Sequence, residues 1–371
     1  MTKSSFWKLI NTYWKDMNND LLLESDSKER FDFNKSLLKD VLKIHQSEKE
    51  NGLENIIKDI DTKSLRGKIS GCYSYKDLYF LDDNCDYYFV GDIHSDAFIL
   101  EHLLDSIEFF EKVDKKLPFK VVFLGDYVDR GKNHLKTLNI LLLLKKHFPE
   151  NIYLLMGNHD IGKIENGEVT LYLKKVEEDM DYFYIYLNHL HQNHKDFDDE
   201  LLDLYMTFMN TLNVAAFILT DKVTIKAVHG GIPRPLDDQF FYISDYGQLT
   251  DLTLDHEETR IRDCILWSDP SIQDKKTPHT GKRFKFYEDQ LINYLKHMNI
   301  DLVVRGHQAI EMGHLPLFDK IHTIFSSGYV NKGDENINTD TAYDFIPPKV
   351  LHLDVKKGLP LKVLDIKLNN H

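Results

Sequence analysis

The sequence has few cysteines, an excess of acidic over basic residues, and no long hydrophobic run. Cys72, Cys85 and Cys264 show no paired spacing, which argues against a disulfide framework and suits a reducing compartment. The formal net charge is −14, so we expect no nucleic-acid partner, because such binding depends on attraction to phosphates. The longest apolar run, Ile140 to Leu144, is far too short to span a membrane.

The first residues, MTKSSFWKLINTYWKD, lack the continuous apolar segment of a signal peptide. We therefore expect a cytoplasmic protein without a membrane span. A translocated effector that lacks a cleavable signal would show the same features.

Residues 1–80 have helical patterning and none of the residues that suggest chemistry. Apolar side chains recur at spacings of three and four, as on one helix face; they are Trp7, Ile10, Tyr13, Trp14 and Met17. A second amphipathic segment covers residues 33–44. We interpret this region as an N-terminal helical extension.

From about residue 81 to residue 371 the pattern predicts one α/β domain. Short β-branched and aromatic runs are typical of buried strands; they are DYYFV, FKVVFL, NIYLLM, VTIKAV, DLVV and HTIF. Helical patterns at 97–112, 134–147 and 286–298 separate several of them, which indicates a layered core. Residues 161–215 are predicted to form a mostly helical insertion beside the core. VLHLDV and PLKVLDIK predict a closing antiparallel hairpin.

Five short motifs each follow a predicted strand. They are Gly91-Asp92-Ile93-His94, Gly125-Asp126-Tyr127-Val128-Asp129-Arg130-Gly131, Gly157-Asn158-His159-Asp160, His229-Gly230-Gly231 and Arg305-Gly306-His307. Each places metal-compatible or proton-transferring side chains just beyond a strand, where open sheets gather their ligands. Singly, most of these motifs fit an ordinary turn or a half-buried histidine. Together they indicate a metal site, and GDYVDRG has no common packing explanation.

The set resembles the signature of calcineurin-like metallophosphoesterases, and GDYVDRG is similar to the motif of the PPP family of protein serine/threonine phosphatases. The resemblance covers roughly residues 86–355. It extends to segments that bind no metal, namely Leu266-Trp267-Ser268-Asp269-Pro270, Arg305-Gly306-His307-Gln308 with Glu311, and 323–329. The implied fold is a β-sandwich core flanked by helices.

The resemblance also implies two divalent metal ions, with manganese the first choice in vitro and iron or zinc as alternatives. One metal would be held by Asp92, His94 and Asp126. The second would be held by Asp126, Asn158, His229 and His307, with Asp126 bridging the two. Mixed carboxylate, imidazole and amide ligands suit such borderline metals, and two cations can clamp phosphoryl oxygens.

Other residues receive roles from the same resemblance. His159 would be the general acid, oriented by Asp129. Arg130 and Asn158 would bind the substrate phosphate, and a salt bridge between Arg130 and Asp129 is the alternative for that arginine. Arg283 would be a second phosphate-binding arginine, although it aligns only with a gap and Lys282 is a possible substitute. Tyr329 would lie at the rim of the active site, or else in the core.

The chain departs from the family pattern at several positions. Ser95 stands where the family has glycine, which predicts a slightly changed loop, because serine adopts positive φ less freely. Asp160 replaces the glutamate of the family's GNHE motif. The resulting GNHD form is common in other metallophosphoesterases. Ile232-Pro233-Arg234-Pro235 is not the usual continuation of the HGG motif.

The leading hypothesis is a dinuclear-metal phosphatase that hydrolyses phosphoserine or phosphothreonine in proteins, with a metal-bridging hydroxide as the nucleophile. A PPP-like phosphoesterase acting on phosphotyrosine or dinucleoside polyphosphates would use the same ligands. An inactive binding module is the third hypothesis, and a missing ligand would have favoured it. A phosphoprotein is the expected partner, and the sequence indicates no particular regulatory subunit.

Overall fold

The computed structural model describes residues 1–14, 27–50, 61–67, 69, 71–82, 84–171, 180–250, 261–272, 283–332, 335–336 and 341–367. The α-helices within these ranges are α1 Lys3–Tyr13, α2 Ser27–Glu50, α3 Ala97–Ser106, α4 Phe109–Asp114, α5 His134–His147, α6 Phe183–Asn193, α7 Asp199–Thr211, α8 Ile261–Trp267 and α9 Glu288–Met298. The strands are β1 Gly71–Tyr75, β2 Leu78–Asp82, β3 Asp86–Val90, β4 Phe119–Phe123, β5 Ile152–Leu154, β6 Gly162–Glu165, β7 Glu168–Leu171, β8 Ala215–Leu219, β9 Thr224–Val228, β10 Asp269–Pro270, β11 Lys285–Phe286, β12 Leu302–Arg305, β13 His314–Leu317, β14 Ile321–Ile324, β15 Asn331–Lys332, β16 Glu335–Asn336, β17 Lys349–Leu353 and β18 Lys362–Asp365.

Two mixed sheets form the centre of the fold. One has seven strands in the order β1-β2-β8-β9-β12-β14-β13, and the other has five in the order β18-β17-β3-β4-β5. Alternate residues of both sheets, such as Phe89 and Val122 on one and Ile225 and Val304 on the other, belong to one buried cluster. Side chains on successive strand positions point to opposite faces, so this cluster fills the space between the sheets. The predicted sandwich is therefore confirmed.

The other face of each sheet is covered by helices. Val121 and Phe123 on β4 alternate with the inter-sheet residues and share a second cluster with Leu138 of α5. On the seven-stranded sheet, Phe217 of β8 lies in the same cluster as Tyr294 of α9. The buried helical stretches expected near 97–112 and 134–147 occur there, and the first is divided into α3 and α4 at Glu108, which has φ of 54°.

The region before residue 81 contains strands as well as the expected helices. α1 and α2 have the predicted apolar faces, with Phe6 and Ile10 of α1 buried; Met17 lies outside the described residues. β1 and β2 then form a hairpin, and β2 pairs in parallel with β8, with Leu78 opposite Ala215. A boundary at residue 80 would thus cut through a strand of the main sheet.

The predicted helical insertion at 161–215 begins with a hairpin. β6 and β7 are antiparallel and are joined by Asn166 and Gly167, which have φ of 55° and 81°. An Asn-Gly pair with two positive φ values is the preferred two-residue hairpin turn, and the sequence interpretation passed over this signal. Helices α6 and α7 follow as expected.

The parallel strands bring the sequence motifs to one edge of the sandwich. β3, β4 and β5 run parallel in one sheet, and β9 and β12 run parallel in the other. An isolated parallel bridge from Asp92 to Phe325 joins the two sheets at this edge. The closing hairpin of β17 and β18 is confirmed, and β17 pairs with β3. The five loops that follow these strands therefore meet.

Candidate metal centre and active site

The loops after β3 and β4 turn sharply to present their side chains. His94, Ser95 and Asp126 have φ of 46°, 57° and 55°, values that are uncommon for residues other than glycine. Asp126 O accepts hydrogen bonds from the backbone N–H groups of Ile93 and His94, at 3.1 and 2.9 Å. The two loops therefore hold each other in this conformation.

Ser95, which stands where the family has glycine, has a left-handed conformation with φ of 57°. It is buried, and its Oγ lies 2.6 Å from Nδ1 of His134, the first residue of α5. A hydrogen bond of this kind offsets part of the cost of positive φ in a non-glycine residue.

Glycine is required where two loops approach most closely. A Cβ at Gly157 would lie 2.1 Å from Oδ1 of Asp126, and one at Gly306 would lie 2.4 Å from Oδ1 of Asp92. Oδ1 of Asp92 instead accepts the N–H of His307 at 2.8 Å. The loops of the two sheets therefore come into contact through the carboxylate of Asp92.

Asp92, His94 and Asp126 converge on one point. Nδ1–H of His94 donates to Val128 O at 2.9 Å, which leaves the Nε2 lone pair directed at the carboxylates. Nε2 lies 3.6 Å from Oδ2 of Asp92 and 3.6 Å from Oδ2 of Asp126. Burial lowers the pKa of His94 to about 4, and a neutral imidazole is the form that binds metals.

A second group of donors surrounds the other side of Asp126. Nδ1–H of His229 donates to Leu124 O at 3.0 Å, so its Nε2 faces Oδ2 of Asp126 at 3.2 Å and Oδ1 of Asn158 at 2.8 Å. Nδ1 of His307 lies 2.7 Å from the same Asn158 oxygen. Asp126 therefore belongs to both groups.

The electrostatics of these buried groups fit divalent cations. Burial raises the pKa of Asp92 to about 7, and its Oδ2, like Nε2 of His307, lacks a hydrogen-bond partner. Burial opposes ionisation of Asp126, but the imidazoles of His229 and His159 hold the pKa of that carboxyl well below its usual range. Lone pairs that face one another without donors are stabilised by cations between them.

Asp160, which the sequence marked only as a departure from the family pattern, braces the site. Its Oδ2 accepts the N–H groups of Asp126 and Gly157 at 2.7 and 2.8 Å, and its Oδ1 accepts that of Tyr127 at 3.1 Å. One fully buried carboxylate thus joins the loops after β4 and β5. Burial raises the pKa of Asp160 to about 7.

His159 and Asp129 form a hydrogen-bonded pair at the edge of the metal donors. Nδ1–H of His159 donates to Oδ2 of Asp129 at 2.6 Å. Burial acts to lower the pKa of His159, but the charges of Asp126 and Asp129 outweigh it and raise that pKa to about 9. Its Nε2 lies 4.0 Å from Oδ2 of Asp126. His159 also lies near enough to His94 and Asp126 to belong to a candidate ligand group.

A cavity of about 530 Å³ opens over these groups. Its lining residues are His94, Asp126, Arg130, Asn158, His159, Tyr182, Trp267, Arg283, His307, Gln308, Ala309 and Tyr343. The two arginines are exposed cations in a strongly acidic chain, a combination suited to an anionic substrate.

The arginines are held differently. Arg130 carries its guanidinium over the ring of Tyr182, at 5.7 Å. Nε of Arg283 donates to Oδ2 of Asp269 at 3.0 Å, and the buried Arg305 donates to Oδ1 of the same carboxylate at 2.9 Å. Asp269 belongs to the LWSDP motif, which is therefore connected to the cavity. Position 282, the alternative to Arg283, lies outside the described residues.

Tyr329 is half-buried and is not among the described residues that line the cavity. Its backbone N–H donates to Ile346 O at 2.9 Å. Tyr182 and Tyr343 are the described tyrosines that line the cavity. The ring of Tyr343 stacks on His94 with 5.2 Å between centroids. Sequence analysis did not select Tyr343 or Tyr182, because neither belongs to a motif that carries chemistry.

Comparisons with known proteins show the family of the chain. The family model of calcineurin-like phosphoesterases matches residues 86–311, and the chain belongs to that family. Membership implies divalent metals, and the grouped residues described above are candidates to bind them. No helix among the described residues is long and apolar enough to cross a membrane.

Individual relatives carry phosphatase names. A Caenorhabditis elegans protein named as a candidate serine/threonine-protein phosphatase is 27% identical over 288 residues, which are 75% of this chain and 53% of that protein. The chain thus spans about half the length of this curated relative. A protein serine/threonine phosphatase from Saccharomyces cerevisiae has a similar fold, with a TM-score of 0.57 and 15% identity over 98% of this chain and 97% of that chain. A cold-active protein-tyrosine phosphatase from Shewanella matches 78% of this chain and 82% of its own, at 18% identity and a TM-score of 0.43.

Proposed function

We propose that the chain is a metal-dependent phosphatase that hydrolyses phosphoserine and phosphothreonine in proteins. The observation that carries this proposal is the position of Asp126 between two donor groups, beside the His159–Asp129 pair and beneath a cavity with two arginines. Uncatalysed hydrolysis of phosphate monoesters is among the slowest reactions in biology. Cations and arginines around the phosphoryl group, with a proton donor beside it, would stabilise the transition state of that reaction.

The donor groups fit two divalent cations, with manganese the first to test. Asp92, His94 and Asp126 would hold one, and Asp126, Asn158, His229 and His307 would hold the other. When bound, such cations neutralise phosphoryl charge and activate water as a nucleophile. All six residues lie together, so nothing in the described donor set favours an inactive binding module.

The remaining roles belong to side chains at the cavity. Arg130 and Arg283 would bind the phosphoryl oxygens, Arg130 being placed by its ring contact and Arg283 by Asp269. His159 would donate its Nε2 proton to the leaving oxygen while Asp129 holds Nδ1. This arrangement delivers the proton beside Asp126, where the phosphoryl group would be held.

A second substrate class also has support. Tyr182, Trp267 and Tyr343 line the cavity, and such rings can stack on an aromatic leaving group. Phosphotyrosine or a dinucleoside polyphosphate would provide one. The same metal ligands, arginines and His159 would act on each of these substrates.

The experiment is a hydrolysis assay with Mn²⁺ on phosphoserine, phosphothreonine and phosphotyrosine peptides and on diadenosine tetraphosphate, with His229→Ala as the matched control. We expect the highest kcat/KM on phosphoserine or phosphothreonine peptides, and loss of activity in the control. Preference for phosphotyrosine or for the dinucleotide would replace the proposed substrate, and absence of hydrolysis of all four by a manganese-loaded chain would refute the phosphatase itself.

A further inference from the structure

Three successive residues just before and at the start of α6 contact the loop that carries Asp129 and Arg130. The carbonyl of Asp181 accepts the N–H of Arg130 at 2.8 Å. The ring of Tyr182 lies 5.7 Å from the Arg130 guanidinium. The N–H of Phe183 donates to Oδ1 of Asp129 at 2.7 Å. The insertion therefore reaches the residues beside His159.

The loop that these contacts hold is strained. Asp129 and Arg130 have φ of 66° and 64°, and neither is a glycine. Two consecutive non-glycine residues in the left-handed region persist only where surrounding contacts fix them. The segment 181–183 supplies such contacts to both residues.

Asp129 also completes the N-terminus of α6. The N-cap residue Tyr182 makes no side-chain capping hydrogen bond, so the N–H of Phe183 at the first helical position is satisfied from another part of the chain. A carboxylate at a helix N-terminus is stabilised by the helix dipole. Oδ2 of the same carboxylate accepts a hydrogen bond from His159. The carboxylate of Asp129 therefore binds both the N-terminus of α6 and the ring of His159, and we call it the Asp129 anchor.

The start of α6 is itself fixed from behind. The buried ring of Phe183 lies 5.9 Å from that of Tyr205 on α7 and 5.5 Å from that of His134 on α5. The hydroxyl of Tyr205 accepts a hydrogen bond from Nδ2 of Asn34 on α2, at 2.7 Å. Packing of this density leaves the N–H of Phe183 little freedom to move relative to the core.

We infer that the N-terminus of α6 is the positioning element of the proposed general acid: the N–H of Phe183 fixes Asp129, and Asp129 fixes the ring of His159. This inference rests on the proposed function. Phe183 touches no reacting atom and acts through Asp129 alone. The insertion thereby has a part in proton delivery and not only in the shape of the molecule.

The test removes this N–H and little else. Phe183→Pro deletes the donor at the helix position where proline is best tolerated, and Tyr182, with φ of −104° and ψ of 123°, already has the conformation required before proline. Phe183→Ala is the matched control, because it loses the same ring and keeps the N–H. Both are compared on a phosphoserine peptide and on p-nitrophenyl phosphate.

We expect Phe183→Pro to have a kcat on the phosphoserine peptide about tenfold below that of Phe183→Ala, a part of the ~10²–10⁴-fold that general acid assistance contributes. KM and the rate on p-nitrophenyl phosphate should be alike in the two variants, because the nitrophenolate needs little protonation. Equal kcat values on the peptide, or equal losses on both substrates, would overturn the inference.

A second measurement does not depend on turnover or on the proline variant folding. Hydrogen exchange of the first turn of α6, followed by mass spectrometry, should be faster in Asp129→Ala than in the wild type, because the helix loses its cap. If the exchange rates of this turn were the same in Asp129→Ala and the wild type, Asp129 would not stabilise the N-terminus of α6, even if the enzyme were active. A wild type that hydrolyses neither substrate while exchange responds as expected would refute the proposed function and leave the anchor in place.

Discussion

Replacing His159 separates proton donation from metal binding. In the structure its Nδ1 is engaged by Asp129 at 2.6 Å, and its Nε2 faces the cavity. His159→Asn keeps a polar side chain of similar reach and removes the titrating ring. We expect the variant to retain both metals, because it changes none of the six proposed ligands around Asp126.

The size of the effect follows from the leaving group. General acid assistance contributes ~10²–10⁴-fold, or about 3 to 5 kcal/mol of transition-state stabilisation. A serine alkoxide is a strongly basic leaving group and depends fully on general acid assistance. A nitrophenolate delocalises its charge and depends on it much less. His159 is 8% exposed, so solvent is a poor substitute donor. We therefore expect a loss of about 10³-fold on a phosphoserine peptide and a much smaller loss on p-nitrophenyl phosphate.

The assay measures kcat on both substrates and the metal content of each variant. His229→Ala is the comparison, because its Nε2 faces Asp126 and Asn158; it should lose metal and depress both rates together. If His159→Asn lost metal, or lost equal activity on the two substrates, His159 would be a ligand or a structural residue, as its proximity to His94 allows, and the acid would be another group.

Three further predictions concern metal, the N-terminal region and pH. Elemental analysis of the active enzyme should give two metal ions per chain, and a chelator should abolish activity; one ion or none in a fully active preparation would contradict the shared position of Asp126. Glu48→Ala should lower the free energy of unfolding by about 3 kcal/mol, because it leaves the fully buried Lys145 without its carboxylate partner, while kcat is unchanged; a loss under about 1 kcal/mol, or a fall in kcat of the folded protein, would refute this. Burial lowers the pKa of Lys226 to about 7 from 10.5, so the unfolded chain binds more protons between these values and stability rises with pH there. The free energy of unfolding in urea should therefore rise with pH above pH 7 by about 1 kcal/mol per pH unit more in the wild type than in Lys226→Met. If the two proteins had parallel plots of unfolding free energy against pH, Lys226 would be charged throughout.

Much of the site followed from the sequence because each of its motifs is local. A ligand placed two to four residues beyond a buried strand lies near the end of that strand in any sheet that forms. Parallel neighbours then bring such ends together. Asp92, Asp126 and Asn158 follow β3, β4 and β5, and the pairing of these strands in one sheet is what unites them. The alternation of strand and helix likewise predicted the layered core.

Other features had no local signal, or had one that was passed over. Asn166-Gly167 was a hairpin signal inside a segment interpreted as helical. β1 and β2 lie in a region of helical pattern, and their place in the main sheet depends on pairing with β8, more than 130 residues later in the chain. Local periodicity does not report such partners.

The sequence by itself determined the donor types, their loops and the α/β class, since those depend on short stretches of chain and on hydrophobic periodicity. Only the tertiary structure decided which tyrosine reaches the cavity, which carboxylate braces two loops, and which helix anchors Asp129. Tyr343 rather than Tyr329 stacks on His94, and the N–H of Phe183 reaches Asp129 from 54 residues away. Contacts of this kind are set by how whole layers pack, where the free energy depends on all the neighbours of a side chain at once.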